Sequence, residues 1–349
     1  MSACPSLPIS AVVAPCGGSA AGADPVPGDL LAALAQVPDP RRGRGVRHRF
    51  LAILGIAVGA VLAGASTYTA IAEWAHDLPV GVRVRLGLRR RAPSESTIRR
   101  VLQAVDAEAL DQVVSSWLAA RSRPAVATPD ARTLIAIDGK TSCGARGPDG
   151  RAVHLLAAFD HTSGVVLGQT VVEGKTNEIT AFAPLCERLD LSGALVTADA
   201  LHTQHRHADY LHTCGAHYLL TVKRNQPTLH HQLASLPWTQ IPALDTTQGK
   251  GHGRVESRTL KLAALSEGIG FPHARLAIQL RRRRRPLTSR KWHTETVYAI
   301  TDLGWSDTRA ARLADAIRGH WGIENRLHWI RDVVFARTTP RSAPAPAPP

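Results

Sequence analysis

The sequence has few cysteines, no basic N-terminal segment and no long apolar run, and each absence narrows the class of protein. Its five cysteines form no CxxC pair and no zinc-ligand spacing, which excludes a disulfide framework and favours a reduced, cytoplasmic protein. The N-terminus has no basic segment ahead of an apolar one, so no signal peptide is predicted. The apolar stretch 51–65 is shorter than the roughly 20 residues that span a membrane. We interpret it as a core helix.

Acidic residues are fewer than basic residues in this sequence. The chain has 42 Lys and Arg against 28 Asp and Glu, which gives a formal net charge of +14. Such an excess indicates a polyanionic partner, either nucleic acid or an anionic membrane surface. GC-rich codon usage also produces arginine-rich chains, so the charge favours nucleic acid without establishing it. With 349 residues, the chain is long enough for two or three folded units.

The N-terminal third has helical patterns only. Residues 1–28 are rich in Pro, Gly, Ala and Ser and are predicted to be a disordered tail. Asp29 is a plausible helix cap that opens a helical, DNA-binding domain predicted over 29–125. The basic segment 39–50 either contacts phosphates or is a solvated linker. The helix entry at 93–96 fits either the recognition helix of a helix-turn-helix or a plain helical bundle.

From Thr133 onward strands alternate with helices, which indicates a mixed α/β domain. The predicted strands are 133–137, 153–159, 165–172, 194–198, 217–222 and 292–300. The predicted helices are 177–189, 204–214 and 306–318, followed by a second helix or a continuation from 320 to about 335. Residues 223–300 are otherwise less regular. The Pro/Ala segment 336–349 is predicted to be a disordered tail.

Three carboxylates stand at the ends of regular elements. Asp138 follows the apolar run of IAIDGK, Asp199 follows that of LVTAD, and Glu324 lies in the helical segment HWGIEN. Taken singly, they fit a turn residue, a helix cap and a surface residue. Two adjacent strand ends facing a helix are, however, the layout of a ribonuclease H-like fold, in which carboxylates hold two Mg²⁺ or Mn²⁺ ions for phosphoryl transfer.

Long motifs in a fixed order give the chain a family resemblance. IAIDGKT, VTADALHTQ, TVKRNQP, GHGRVESR and RGHWGIENRLHWIRDVVF, preceded by DPRRGRGVRH and PSESTIRRVL, resemble the ISAs-type transposases of bacterial insertion sequences, which are DDE transposases. The resemblance spans roughly residues 30–335. It implies a ribonuclease H-like catalytic domain at 130–335 with an insertion at about 223–300.

The resemblance also implies a site and a reaction. Asp138, Asp199 and Glu324 would be the catalytic, metal-binding carboxylates, using Mg²⁺ or Mn²⁺ for DNA cleavage and strand transfer. The protein would be nucleoid-associated and act as a homo-oligomer on element ends and target DNA. The residues expected to contact DNA are Lys140, Lys223, Arg224, Asn225, His252, Arg254, Arg258, His320 and His328. For the arginines at 281–285, phosphate contacts and a plain charged loop are both open.

The C-terminal motif departs from the family pattern. The relatives carry an acidic pair and a further helix after the DVxF motif, whereas here DVVF runs into ARTTPRSAPAPAPP. The broader group's Tyr, Arg and Lys around the third carboxylate are replaced by Ile317, His320 and Arg331. Two alternatives therefore stand beside an active transposase: a truncated, catalytically decayed copy that only binds DNA, and a ribonuclease H-like nuclease that cuts without joining.

Overall fold

The computed structural model describes residues 28–43, 46–88, 91–122, 132–146, 150–172, 177–251, 253–265 and 269–332. The predicted tail 336–349 and all but the last residue of the predicted tail 1–28 lie outside these ranges. The chain divides into two compact units, Met1–Asp106 and Ala107–Pro349.

The first unit is helical, as predicted. Its helices are α1 Gly28–Leu34, α2 Phe50–Leu62, α3 Tyr68–Asp77, α4 Val80–Arg85 and α5 Glu95–Ala104. The apolar α2 is the centre of the unit and packs against α1, α3 and α5. Ile53 and Ile56 of α2 and Ile98 of α5 are fully buried, so the apolar stretch is a core helix. No helix in the described part of the chain is long and apolar enough to cross a membrane.

Part of the basic segment 39–50, which leads into α2, makes contacts within the chain. The guanidinium of Arg41 donates to both carboxylate oxygens of Asp39, at 2.9 and 2.8 Å, and to the carbonyl of His48 at 2.9 Å. This arginine therefore holds the chain that leads into α2.

The second unit is built on one large sheet. Its strands are β1 Leu134–Arg146, β2 Ala152–Asp160, β3 Val166–Val172, β4 Leu195–Ala198, β5 His217–Val222, β6 Asp245–Gly251, β7 Arg254–Ala264, β8 Leu276–Pro286 and β9 His293–Thr301. Its helices are α6 Ala107–Ser122, α7 Glu178–Cys186, α8 His205–Thr213, α9 Pro227–Ala234 and α10 Ala310–Gly322. A 3-10 turn, Ala200–His202, follows β4, and a π-helical segment, Ile323–His328, continues α10.

The strand order is β3-β2-β1-β4-β5-β9-β8-β7-β6. Strands β1, β4 and β5 are parallel, and all other pairs are antiparallel. The first five strands have the order of a ribonuclease H-like sheet, which confirms the predicted fold class. Ile137 of β1 is in register with Ala198 of β4, so these two strands end side by side.

Side-chain alternation gives the sheet two buried faces. Ile135 and Ile137 join the core that contains Phe182 and Leu185 of α7. Ala136, between them, faces the opposite side with Ile323 of the π-helical segment. Helix α10 packs on that second face against β1 and β4, and α6 packs on β3.

The region 223–300 is more regular than the sequence indicates. It contains α9 and the strands β6, β7 and β8, which extend the sheet beyond β9. The arginines at 281–285 lie inside β8, paired with β7 and β9, so their interpretation as a charged loop was wrong. The helix predicted from residue 306 begins instead at Ala310, because Asp307 closes a turn by accepting from the Gly304 amide at 2.8 Å.

Candidate active site

Asp138 and Asp199 lie one residue beyond the last register pair of β1 and β4. Side chains alternate along a strand, so Asp138 shares the face of Ala136. By the same alternation, Asp199 shares the face of Thr197. Both carboxylates are half-buried at the same end of the sheet. The Asp199 Oδ1 also accepts from the Leu201 amide at 2.8 Å, so this carboxylate caps the 3-10 turn as well.

Two histidines of the C-terminal helix approach these aspartates. His328 is 1% exposed, and its Nε2 lies 3.3 Å from Asp138 Oδ2. Burial raises the pKa of Asp138, but the close contact with His328 and the charges of His320 and His328 outweigh burial and leave the pKa below its usual value. Asp138 is therefore ionised at neutral pH and available to a cation.

His320 stands between the two aspartates and the strand below them. Burial lowers the pKa of His320, while the carboxylates of Asp138 and Asp199 act in the opposite direction. The Thr197 hydroxyl lies 3.0 Å from His320 Nδ1 and 3.1 Å from His161 Nε2, so one hydroxyl joins both rings. Burial lowers the pKa of His161 to about 4, which keeps that ring neutral at pH 7.

Glu324 lies in the π-helical segment, between His320 and His328, and its side chain is exposed. The described residues include no group of three or more His, Cys, Asp or Glu side chains placed to hold a metal ion. The structure thus brings Asp138 and Asp199 together and leaves Glu324 outside their contacts. Two ionisable carboxylates at adjacent strand ends fit the oxygen ligands that Mg²⁺ and Mn²⁺ require.

The residues expected to contact DNA near the aspartates have varied contacts. Lys140 Nζ lies 3.0 Å from Asp332 Oδ2 in a half-exposed ion pair. Lys223 and Arg224 are exposed directly after β5. Asn225 instead donates from Nδ2 to the carbonyl of Ala200 at 2.6 Å, so its amide holds the backbone next to Asp199.

On the β7–β8 part of the sheet, Glu256 pairs with Arg254, Arg258 and Arg282. The first two are among the residues expected to contact DNA. Arg282 donates to both carboxylate oxygens of Glu256, at 2.7 and 3.1 Å, and Arg258 lies 2.6 Å from Oε1. Arg254 is 3.7 Å from Oε2. These arginines are therefore partly neutralised within the sheet. His252, which precedes β7, lies outside the described residues.

The opposite face of β8 carries arginines that stack on a tryptophan. Arg283 and Arg285 lie 4.9 and 5.4 Å from the ring centroid of Trp292. Arg281 shares their face by alternation and is exposed. We call the paired strands β7, β8 and β9 the ribbon, and Arg281, Arg283, Arg285 and Trp292 the arginine face of the ribbon. It leaves positive charge open to solvent.

Comparison with known proteins assigns the family. Residues 31–118 match the family model described as DDE_Tnp_1-associated, and residues 129–342 match the Transposase DDE domain. The chain belongs to the DDE transposase family. The resemblance drawn from the motifs is thereby confirmed, and the matched range contains both strand-end aspartates and the C-terminal helix.

Curated relatives of this family member carry transposase names. The chain is 32% identical over 319 residues to the putative transposase YncI of Escherichia coli O157:H7, covering 87% of this chain and 79% of the relative. It is 29% identical over 320 residues to the H repeat-associated putative transposase YhhI of Escherichia coli strain K12, covering 88% and 82%. A piggyBac transposase structure, in a synaptic complex with hairpin DNA, matches with a TM-score of 0.37 at 10% identity, covering 85% of this chain and 64% of that one.

Sequence reasoning missed Thr197 and His161 of this DDE protein. A hydroxyl inside the apolar run LVTAD was the available signal for Thr197, because a fully buried polar side chain needs a partner. His161 had no such signal, since its contact with Thr197 joins β4 to the turn after β2, 36 residues earlier in the sequence.

Proposed function

We propose that this chain is an insertion-sequence transposase that cleaves DNA at the ends of its element and transfers the freed strand to target DNA. The observation that carries the proposal is the pair of half-buried aspartates, Asp138 and Asp199, at the adjacent ends of β1 and β4. Membership of the DDE transposase family supports the same function.

The proposed cofactor is a pair of divalent cations, Mg²⁺ or Mn²⁺, held by Asp138 and Asp199. Bound cations of this kind activate an attacking water or hydroxyl and stabilise the leaving oxygen of a phosphodiester. The ionised state of Asp138 supports its role as a ligand, because the neighbouring histidines keep its pKa low. His328 further restrains the Asp138 carboxylate by direct contact.

Glu324 is the proposed third carboxylate. Support comes from its neighbours on the same helix, since His320 interacts with both aspartates and His328 contacts Asp138. Glu324 lies between them and is exposed, so its carboxylate is free to turn towards a bound cation. Its position on the helix packed against β1 and β4 suits a ligand supplied from a separate element.

DNA is the proposed partner of the exposed cationic surfaces. Lys223 and Arg224 follow β5 at the sheet end that carries the aspartates, where they would contact the backbone of the cleaved strand. The arginine face of the ribbon would add phosphate contacts farther along the duplex. The helical N-terminal unit is proposed to bind the element end, with the active protein a homo-oligomer on DNA.

The test is cleavage of a labelled duplex that carries the end of the chain's own insertion sequence. We expect nicking in Mg²⁺ or Mn²⁺ and none in EDTA, because the carboxylates act only through a cation. Joined products with an unlabelled target duplex distinguish a transposase from a nuclease that only cuts. Salt-sensitive DNA binding without cleavage in either metal would contradict catalysis and favour a decayed copy that only binds DNA.

A further inference from the structure

A second buried polar cluster lies on the face of β1 opposite to Asp138. Its centre is Glu178, the first residue of α7, whose side chain is only 7% exposed. The carboxylate packs directly on the backbone of Gly139, and a methyl group at Gly139 would overlap both carboxylate oxygens. Glycine is required here by the space that the carboxylate occupies. The contact falls on the residue immediately after Asp138.

Two buried histidines face this carboxylate, and one of them, His154, is hydrogen-bonded to it. His154 Nε2 lies 2.7 Å from Glu178 Oε1, and His202 Nε2 lies 3.5 Å from Oε2. His154 Nδ1 lies 2.9 Å from the Thr141 hydroxyl. Since a carboxylate only accepts, the Nε2–H of His154 donates to it, and the Thr141 hydroxyl is the partner of Nδ1. Burial raises the pKa of Glu178, but the nearby rings of His202 and His154, the latter hydrogen-bonded to the carboxylate, outweigh burial and lower the pKa overall.

The cluster touches both segments that carry the strand-end aspartates. Gly139 follows Asp138 in β1, and His202 ends the 3-10 turn that Asp199 caps. His202 is itself held in place by α7 and α8. Its ring lies 5.3 Å from that of Phe182, and its carbonyl oxygen lies 3.1 Å from His207 Nδ1. Helix α7 therefore fixes the backbone behind each aspartate through one carboxylate.

We propose that Glu178 is a positioning residue that sets the separation of Asp138 and Asp199. This inference rests on the proposed metal-dependent function. A buried carboxylate is costly to desolvate and is stable only when its acceptor sites are filled, so its partners are held in narrow geometry. Glu178 links the end of β1 to the turn after β4, and this link restrains the positions of the two aspartates relative to each other.

Glu178→Gln is the decisive variant, because it keeps the side-chain shape and replaces one carboxylate oxygen by an amide that repels a histidine N–H. Mn²⁺ binding by the full chain, without DNA, is titrated by the electron paramagnetic resonance signal of free Mn²⁺. We expect the Kd for Mn²⁺ to rise about 10-fold or more, the usual range for residues that support metal ligands. Cleavage should then require correspondingly more Mn²⁺.

Asp302→Asn is the matched control. Asp302 is also a buried carboxylate bound to a histidine in this sheet, 2.8 Å from His217 Nδ1. His217 opens β5, which is parallel to β4, so this pair lies at the sheet end away from Asp199. Both variants replace a buried carboxylate that is hydrogen-bonded to a histidine, and we expect similar losses of stability to urea. Only Glu178→Gln should weaken Mn²⁺ binding.

The outcomes separate the two proposals. Wild-type protein that binds Mn²⁺, with a folded Glu178→Gln variant of equal affinity, would overturn the positioning role and leave the metal site standing. Wild-type protein that binds no Mn²⁺ would overturn the metal site, and the positioning role with it. If Glu178→Gln does not fold, Thr141→Val takes its place, because it removes the hydrogen bond between the Thr141 hydroxyl and His154 Nδ1 and leaves Glu178 unchanged. A rise in Kd smaller than that expected for Glu178→Gln supports the role, and an unchanged Kd overturns it.

Discussion

Asp199→Asn is expected to lower metal-dependent DNA cleavage about 10³-fold, which corresponds to about 4 kcal/mol of transition-state stabilisation. The asparagine amide oxygen can still accept from the Leu201 amide, so the cap of the 3-10 turn should persist. Only the negative charge that binds the cation is lost. Initial rates on a labelled element-end duplex in Mn²⁺ and Mg²⁺ measure the effect.

The control for this substitution is Asp315→Asn, on the exposed side of α10, where Asp315 pairs with Arg318. It removes the same charge and should cleave at the wild-type rate, because surface ion pairs contribute little. DNA affinity measured by fluorescence anisotropy should stay near wild type in both variants. Cleavage by Asp199→Asn at the wild-type rate would remove Asp199 from the proposed active site.

Reversing two charges on the arginine face of the ribbon is expected to weaken DNA binding about 10- to 100-fold at about 0.1 M salt. The variant carries Arg281→Glu and Arg283→Glu, both exposed on one face of β8. The slope of log affinity against log salt is negative, and each lost phosphate contact makes it shallower by about 0.9. The two substitutions should therefore make the slope about 1.8 less negative. Anisotropy titrations across a salt series measure both quantities.

Arg206→Glu serves as the comparison for the ribbon variant, since it reverses an exposed charge on α8 of the same unit. We expect its salt slope to remain that of the wild-type protein. A ribbon variant whose affinity and slope both match wild type would show that DNA does not follow this face. The arginines around Glu256 are less suitable for this test, because their substitution would also break the internal ion pairs of β7 and β8.

The sequence was sufficient to predict the centre of the fold. Short apolar runs that end on Asp138 and Asp199 are strong local signals, and the structure makes their strands neighbours in the sheet, as predicted. The helix that follows Ala310 also packs on these strands as predicted. These predictions are correct because β1 and β4 are buried on both faces, and such strands require an apolar pattern that is visible in the sequence.

The strands β6 and β8 show why the regular structure of the predicted insertion was missed. β6 reads DTTQGKG and the outer half of β8 reads RRRRRP, so neither shows the alternation of a half-buried strand. Their pairing comes from neighbours in the sheet, and tertiary context decides strand formation where the local pattern is polar.

For a similar reason, the local sequence pattern does not predict the contact between Glu178 and Gly139. Glu178 reads as an ordinary acidic residue in the first turn of a helix, and Gly139 as part of an Asp-Gly turn. Only the packing of α7 on the sheet brings the carboxylate onto the glycine. The π-helical segment that carries Glu324 likewise has no sequence signature that separates it from a continued α-helix.

The most direct test of the central claim is the metal preference of Asp138→Cys. A thiolate binds Mg²⁺ poorly and accepts softer divalent ions more readily, so a cysteine that touches the catalytic cation changes which metal supports cleavage. We predict that the ratio of cleavage rates in Mn²⁺ and Mg²⁺ rises at least about 10-fold over wild type in Asp138→Cys, and stays at the wild-type value in Asp315→Cys. An unchanged ratio in Asp138→Cys would contradict a cation held by this strand-end aspartate.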